Sequence, residues 1–405
     1  MLILLKKCAN LLTLIANETV YENKSFLGGQ MVINIQKSIR QKNIKKYLNF
    51  VFEKLDIEGY DAVYKVTNEK TDLLAIISQH DSTLGTSLGG TRIATYNNFD
   101  EALTDALRLS KGMTYKAAMA EVGLGGGKSV IVVKDIKDKN EKLLRSFGEA
   151  VNILEGNYIC SEDMGCSPQD VTIIREKTKY VVGLPHEKSS GNPSKFTAWG
   201  VFQGILATLK KLYGSKSIKG KKIAIQGLGS VAHYLIEHLF WHGAELIISD
   251  IDETKLKKFA NAATIVAPED IYKQECDIFV PCAIGGIIND ETIDQLKCKA
   301  VCGAANNQLL EERHAEVLKD KNILYAPDFV VNAGGLINVS FELDKTGYCP
   351  KKSREKTDKI YTSLLEIYKI ADQNDISTNR AAIKLAQFKM KAGIGKRKSN
   401  LYFHH

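Results

Sequence analysis

Nowhere in the 405 residues does an apolar run approach the roughly 18 positions a membrane-crossing helix needs, so no membrane role is expected. The eight cysteines (Cys8, Cys160, Cys166, Cys276, Cys282, Cys298, Cys302, Cys349) form no C-x-x-C pair and no small secreted framework, which points to reduced thiols and a cytoplasmic location. Cys298 and Cys302 are four apart, but with no histidine nearby and no second pair they make no zinc site, and no metal is expected. The formal charge of +8 comes without a nucleic-acid module; its densest clusters, residues 351–359 and 396–398, read as a solvated face and tail, so no nucleic-acid partner is expected. The opening MLILLKKCANLLTLIA lacks a small-residue cleavage site and carries charge inside its apolar stretch, which argues against a signal peptide. An extension over residues 1–43 and a functional start at Met31 both stay open. The terminal GKRKSNLYFHH carries no expectation of fold.

What is there is the composition of a soluble globular chain, 44% hydrophobic and 25% charged, long enough for two domains with separate cores. From Ile44 the apolar spacing (Tyr47, Val51, Phe52, Leu55) predicts a helical segment, followed by strands over 62–66 and 73–79. Leu103, Ala106, Leu107, Ser110, Met113 and Ala117 then recur at helical spacing over 101–120, which puts Lys116 near a helix end. Gly125, Gly126 and Gly127 predict a loop that lets backbone approach a ligand closely, with Lys128 where the chain turns into a strand over 129–133. A lysine held there can lose solvent, and burial lowers an ammonium's pKa towards the range of a working base. A P-loop would need glycine where Val122 stands, and helix rather than strand would have to follow. An ordinary surface lysine after a glycine turn stays open on this stretch alone. A helix over 143–154 and a strand over 158–160 lead to SEDMG, residues 161–165, ahead of a helix starting near Pro168. Taken alone, Asp163 reads as a capping or turn aspartate.

Beyond a helix over 197–213, residues 222–226 form a short strand, and Gly227, Leu228, Gly229, Ser230, Val231 and Ala232 match G-x-G-x-x-A at a strand-to-helix turn. Such a turn brings backbone and a helix N-terminus up to a pyrophosphate. A helix to Trp241 and a strand over 246–249 follow. Asp250 then stands eighteen residues after Ala232, where a carboxylate binds the ribose hydroxyls of NAD and repels a 2′-phosphate. Strands over 277–281, 299–302 and 323–326 run into Pro281-Cys282-Ala283, Ala304-Ala305-Asn306-Asn307 and Asn332-Ala333-Gly334-Gly335, candidate cofactor and substrate contacts at the carboxyl ends of a doubly wound sheet.

In order, LGGTRI, GMTYKAAMA, LGGGKSVIV, SEDMG, GNPSKFTAWG, IQGLGSVA, PCAIGGIIND, GAANNQL, APDFVVNAGGLINV and, more weakly, ISTNRAAIKLA resemble the amino-acid dehydrogenases, most closely the leucine, valine and phenylalanine branch, over roughly residues 61–386. The resemblance implies an α/β fold of two domains with the catalytic cleft between them. These are a substrate domain over 44–188, a Rossmann NAD-binding domain over 189–375, and a C-terminal helix with tail over 376–405 that packs back on the first. It implies that Lys116 and the Gly89 amide hold the substrate carboxylate with Asn307, that Lys128 is the general base, and that Asp163 is the proton shuttle. Thr197 and Asn306 would face the nicotinamide end, Gly227 to Val231 and Asp250 the rest of NAD, with Ala283 beside them. Leu88, Leu336 and Val339 would line an apolar side-chain pocket. Related glutamate enzymes carry a lysine and a serine at the first and last of these, whereas Ser161 departs from the alanine usual in the branched-chain enzymes. The implied reaction is NAD-dependent oxidative deamination of an apolar amino acid to a 2-oxo acid and ammonium by a homo-oligomer. Aromatic substrates, a non-catalytic NAD sensor, and a hydroxy-acid oxidoreductase stay as alternatives, although the last would normally use a histidine base and no histidine occupies a matched loop.

Overall fold

A computed structural model describes residues 43–47, 49–185 and 189–404. The expectations for residues 1–42, an extension or a start at Met31, lie outside the described residues.

The first domain is built on a seven-stranded sheet in the order β1-β2-β3-β4-β6-β5-β7. Its elements are β1 (Asn43–Tyr47), β2 (Phe50–Leu55), β3 (Ala62–Asn68), β4 (Leu73–Asp81), β5 (Ser87–Ala94), α1 (Phe99–Ala120), β6 (Gly125–Val132), α2 (Glu141–Ile153), β7 (Tyr158–Glu162) and α3 (Pro168–Arg175). β1 to β4 and β6 pair antiparallel, while β6, β5 and β7 are parallel. The helix predicted from Ile44 is instead the hairpin β1–β2. Phe50 and Phe52 alternate into the core beside Val66 and Ile77, and that period of two decides the conformation although Val51, Phe52 and Leu55 also fit a helical spacing.

The glycine run is likewise not a loop. Gly125, Gly126 and Gly127 lie within β6, between β4 and β5. Each is crowded by a different neighbour: the Asp81 and Gly85 backbone over Gly125, α1 over Gly126, and the Tyr158 ring over Gly127. A Cβ on Gly126 would stand 2.0 Å from Thr114 Oγ1 and 2.2 Å from Thr114 N, and one on Gly127 would stand 2.7 Å from the Tyr158 ring. Asn98 caps α1 by accepting from Glu101 N, and Asp100 and Glu101 favour its positive end.

The second domain holds a six-stranded, all-parallel sheet in the order β10-β9-β8-β11-β12-β13. Its elements run α4 (Ser194–Tyr213), β8 (Lys222–Gln226), α5 (Ser230–Trp241), β9 (Glu245–Ser249), α6 (Glu253–Lys257), β10 (Thr264–Ile265), β11 (Cys276–Pro281), β12 (Cys298–Val301), α7 (His314–Asp320) and β13 (Leu324–Tyr325). Counted from β8 this is the doubly wound order 3-2-1-4-5-6, whose ligand crevice opens at the carboxyl ends of β8 and β11. Ile223, Ala224 and Ile225 are fully buried, as a central parallel strand covered on both faces requires.

Five helices follow: α8 (Asp328–Val331), α9 (Gly334–Ser340), α10 (Pro350–Thr357), α11 (Lys359–Asn374) and α12 (Thr378–Lys391). α11 packs on α4, and α12 packs on both α11 and α1. The tail beyond α12 has a defined path after all. Arg397 N donates to Leu84 O, the Arg397 guanidinium reaches Leu343 O and Asp344, and Leu401 and Phe403 pack against a cluster containing Leu88, Leu336, Val339 and Leu343. Among the described residues no helix is long and apolar enough to cross a membrane.

Candidate active site

A cavity of about 290 Å³ lies between the two sheets. Leu88, Lys116, Lys128, Ser161 and Asp163 line it from the first domain, and Thr197, Val231, Asn306, Asn307, Leu336 and Val339 from the second. Eleven positions chosen from sequence therefore converge on one cleft.

Lys128 is 4% exposed and comes from the middle of a central strand, opposite Ser78 of β4. Its Nζ donates to Asp163 Oδ2 at 2.6 Å. Gly90 makes this contact possible, since a Cβ there would stand 2.8 Å from Asp163 Cβ and 3.3 Å from Lys128 Nζ. Burial pulls the Lys128 ammonium below its ordinary pKa; Asp163 opposes that and Arg92 adds to it. Asp163 follows β7 in a tight turn in which Cys166 N donates back to its carbonyl at 2.9 Å. Burial would raise its carboxyl, but Lys128 and Arg92 outweigh burial and hold it below the usual range.

Lys116, half-buried on α1, donates to Asn306 Oδ1 at 3.1 Å, and Asn332 Nδ2 fixes the same oxygen at 2.9 Å. Burial brings Lys116 down to about 8 against the pull of Asp328, which leaves it charged at neutral pH. Asp328 is buried behind it, with an Oδ2 accepting from Gln308 N at 2.7 Å, and burial raises its carboxyl. Asn307, at φ 51°, uses a left-handed conformation that asparagine tolerates better than most residues.

Leu88, Leu336 and Val339 form one apolar wall with Ile159, Val182 and Leu343. Gly89 is set back in the sheet, its carbonyl accepting from Tyr158 OH at 3.0 Å, and the neighbouring Gly90 is the one that reaches the cavity. Ser161 lines the cavity half-buried.

At the crevice of the second sheet, Gly227 takes φ 88° and packs so closely that a Cβ would stand 2.6 Å from Ala283 Cβ. Gly229 caps α5 with no side chain over the helix end, and nothing lies within 4 Å of where its Cβ would be. With Leu228 and Ser230 beside it, this bare helix N-terminus in open space fits a pyrophosphate. Asp250 sits at the end of β9, but its carboxylate also braces the turn: Oδ2 accepts from Leu228 N at 2.6 Å, Oδ1 accepts from Asp252 N at 2.8 Å, and Lys255 lies 3.5 Å away.

Three polar residues of the site, Arg92, Asp105 and Asp328, escaped the sequence reading, whereas Asn332 was among its candidate contacts. Arg92 Nε donates to Asp163 Oδ2 at 3.1 Å and its Nη1 to Asp105 at 2.8 Å, while Asp328 and Asn332 stand behind Lys116 and Asn306. Arg92, Asp328 and Asn332 fall inside matched motifs, which was the available signal.

A doubly wound nucleotide-binding sheet that faces a buried lysine–aspartate pair across a cleft defines a two-domain, nucleotide-dependent dehydrogenase. Residues 58–180 match the Glu/Leu/Phe/Val dehydrogenase dimerisation domain, and residues 190–254 and 246–392 match the glutamate/leucine/phenylalanine/valine dehydrogenase family. The chain belongs to this family and is an amino-acid dehydrogenase, an oxidoreductase acting on CH–NH2 donors. It is 46% identical over 340 residues to leucine dehydrogenase of Geobacillus stearothermophilus, covering 83% of this chain and 92% of that one. It is 47% identical over 347 residues to phenylalanine dehydrogenase of Lysinibacillus sphaericus, covering 83% and 90%. The crystal structure of L-tryptophan dehydrogenase from Nostoc punctiforme superposes with a TM-score of 0.72 at 43% identity, covering 83% of this chain and 97% of that one.

Proposed function

We propose that the chain catalyses reversible NAD-dependent oxidative deamination of an apolar L-amino acid, leucine or another branched-chain residue, as a homo-oligomer. The observation that carries this reading is the wall of Leu88, Leu336 and Val339 beside the Lys128–Asp163 pair. A glutamate side-chain carboxylate set against that wall without a partner would cost several kcal/mol. Asp250 and Asp252 would oppose a 2′-phosphate, which supports NAD over NADP.

Lys116 and Asn307 hold the substrate carboxylate, and Gly90 keeps Cα close to Lys128. Lys128, as the free amine, takes a proton from the substrate ammonium. A nicotinamide held there would supply the acceptor for the hydride that leaves Cα. Lys128 passes that proton to Asp163 and, again as the free amine, takes one from the water that adds to the substrate iminium; Asp163 returns its proton to the amino group, which leaves as ammonia while the new hydroxyl gives up its proton to form the 2-oxo acid. Thr197 and Asn306 would hold the nicotinamide end, and the turn from Gly227 to Val231, with Asp250, the adenosine half. Closure of the domains over the cavity would exclude bulk water from these steps.

An aromatic substrate is the second reading. Gly183 lies in the cavity wall, and the atom closest to where its Cβ would stand, Val339 Cγ1, is 3.8 Å away, so space stays open beside that residue. Initial rates for leucine, valine, phenylalanine, tryptophan and glutamate with each dinucleotide test the proposal. The highest kcat/KM is expected for leucine with NAD; preference for glutamate, or equal efficiency with NADP, would overturn it.

A further inference from the structure

Asp163 Oδ2 serves two cations at once, Lys128 Nζ at 2.6 Å and Arg92 Nε at 3.1 Å. All three side chains are largely buried, at 5%, 16% and 19% exposure for Lys128, Arg92 and Asp163. On the far side of the guanidinium, Arg92 Nη1 donates to Asp105 Oδ2 at 2.8 Å, and Tyr96 OH donates to the same oxygen at 2.7 Å. The chain Tyr96–Asp105–Arg92–Asp163–Lys128 thus runs from the segment before α1, through that helix, into the cleft.

We infer that Arg92 is a positioning residue, which locks the Asp163 carboxylate beside Lys128 and, by sharing its oxygen, keeps the Lys128 amine available as a base. The inference rests on the proposed role of Lys128. Its physical basis is that one carboxylate carries one negative charge. Paired with Lys128 alone in a desolvated site, Asp163 would hold the ammonium protonated. A permanently charged guanidinium on the same oxygen cancels much of that attraction. Asp105 neutralises Arg92 only from its remote end, so the cation nearer to Lys128 dominates. The other groups around the pair are Glu162 and Tyr158 on β7 and Cys166 in the turn after it, which feel Asp163, and Lys116 on α1 with Asp328 behind it. None of them touches Asp163 Oδ2 among the described contacts.

Two substitutions should move Lys128 in opposite directions. Arg92→Met leaves Asp163 to Lys128 alone and should raise the lysine's apparent pKa by about one unit or more. Asp105→Asn removes the charge that restrains Arg92 and should lower it. Arg92→Lys keeps a charge and should lie nearer the parent. The readout that needs no turnover is acetic anhydride labelling of the full-length protein across pH, with Lys128 acylation quantified by peptide mass spectrometry. The acid limb of kcat/KM for leucine deamination should shift with the labelling curve. Loss of activity equal at all pH values, with an unmoved Lys128 labelling curve, would make Arg92 a structural tether and overturn the inference. Shifted labelling with no deaminating activity in the parent would instead uphold the inference while removing the proposed reaction.

Discussion

Lys128 and Lys116 stand in one cleft but face different partners, and their substitutions should read differently. Lys128→Ala removes the proposed base and should lower kcat by roughly 10²-fold or more with little change in KM. Lys116→Ala removes the proposed carboxylate anchor and should mainly raise KM, as steady-state kinetics of the two variants would reveal. The free enzyme's kcat/KM for deamination should rise with pH as Lys128 loses its proton, with an apparent pKa below the ordinary lysine value of about 10.4. That direction follows from the burial that lowers Lys128. Gly90→Ala should separate these two residues from their neighbours in another way, because its methyl would push Asp163 and Lys128 apart. A folded protein with kcat reduced about 10²-fold is expected, and circular dichroism alongside the assay distinguishes this from unfolding. The lysines and Asp163 were legible because each sits beside an unusual local pattern, a glycine run or an acidic pair. Arg92 was not, because the arginine of LGGTRI carries no local mark of its partner, which lies 71 residues further on. Asp250 was legible as a candidate ribose contact, but its bracing of the turn through Leu228 N arises only when β8 and β9 are side by side.

The second sheet could be read from sequence almost strand by strand. Continuous apolar runs such as Ile223 to Ile225, each ending in glycine or small polar residues, allow little else in a βαβ chain. The first sheet was harder. Residues 50–55 satisfy helical and strand periods together, and the choice is made by pairing with β3, which no local pattern announces. The glycine run misled for a related reason: three glycines mark close approach, and here what approaches is the rest of the fold, namely the Asp81 and Gly85 backbone, helix α1 and the Tyr158 ring. The tail was illegible because its partners, Leu84, Tyr180 and Leu343, come from three distant segments. It carries its own prediction. Phe403→Ala removes a half-buried ring set edge-on to Tyr180 behind the Leu88–Val339 wall, and should cost about 1–2 kcal/mol in denaturant unfolding. The KM for the amino acid should rise more than that for the dinucleotide, since the wall and not the nucleotide turn loses support.

The two domains are joined through a buried carboxylate. Glu342 accepts from Gly183 N, Ser190 N and Ser189 Oγ, which ties the segment leaving the first domain to the end of α9. Glu342→Gln presents an amide nitrogen to these donors and should cost about 1–3 kcal/mol of stability. Because these contacts bridge the two domains whose closure is proposed, kcat and KM should change together, which stopped-flow and steady-state measurements can resolve. A different consequence follows from the hydrogen bond between Lys116 and Asn306, which crosses the cleft from α1 to the loop after β12. The proposed anchor for the amino acid is thus partnered by a side chain that belongs to the nucleotide half. A dinucleotide that draws Asn306 to its own nicotinamide end sets the lysine free, so the reactants should arrive in a fixed order, dinucleotide first. An unreactive carboxylate analogue of the amino acid should then be uncompetitive against the dinucleotide, whereas noncompetitive inhibition would mean that the latch yields to either reactant alone.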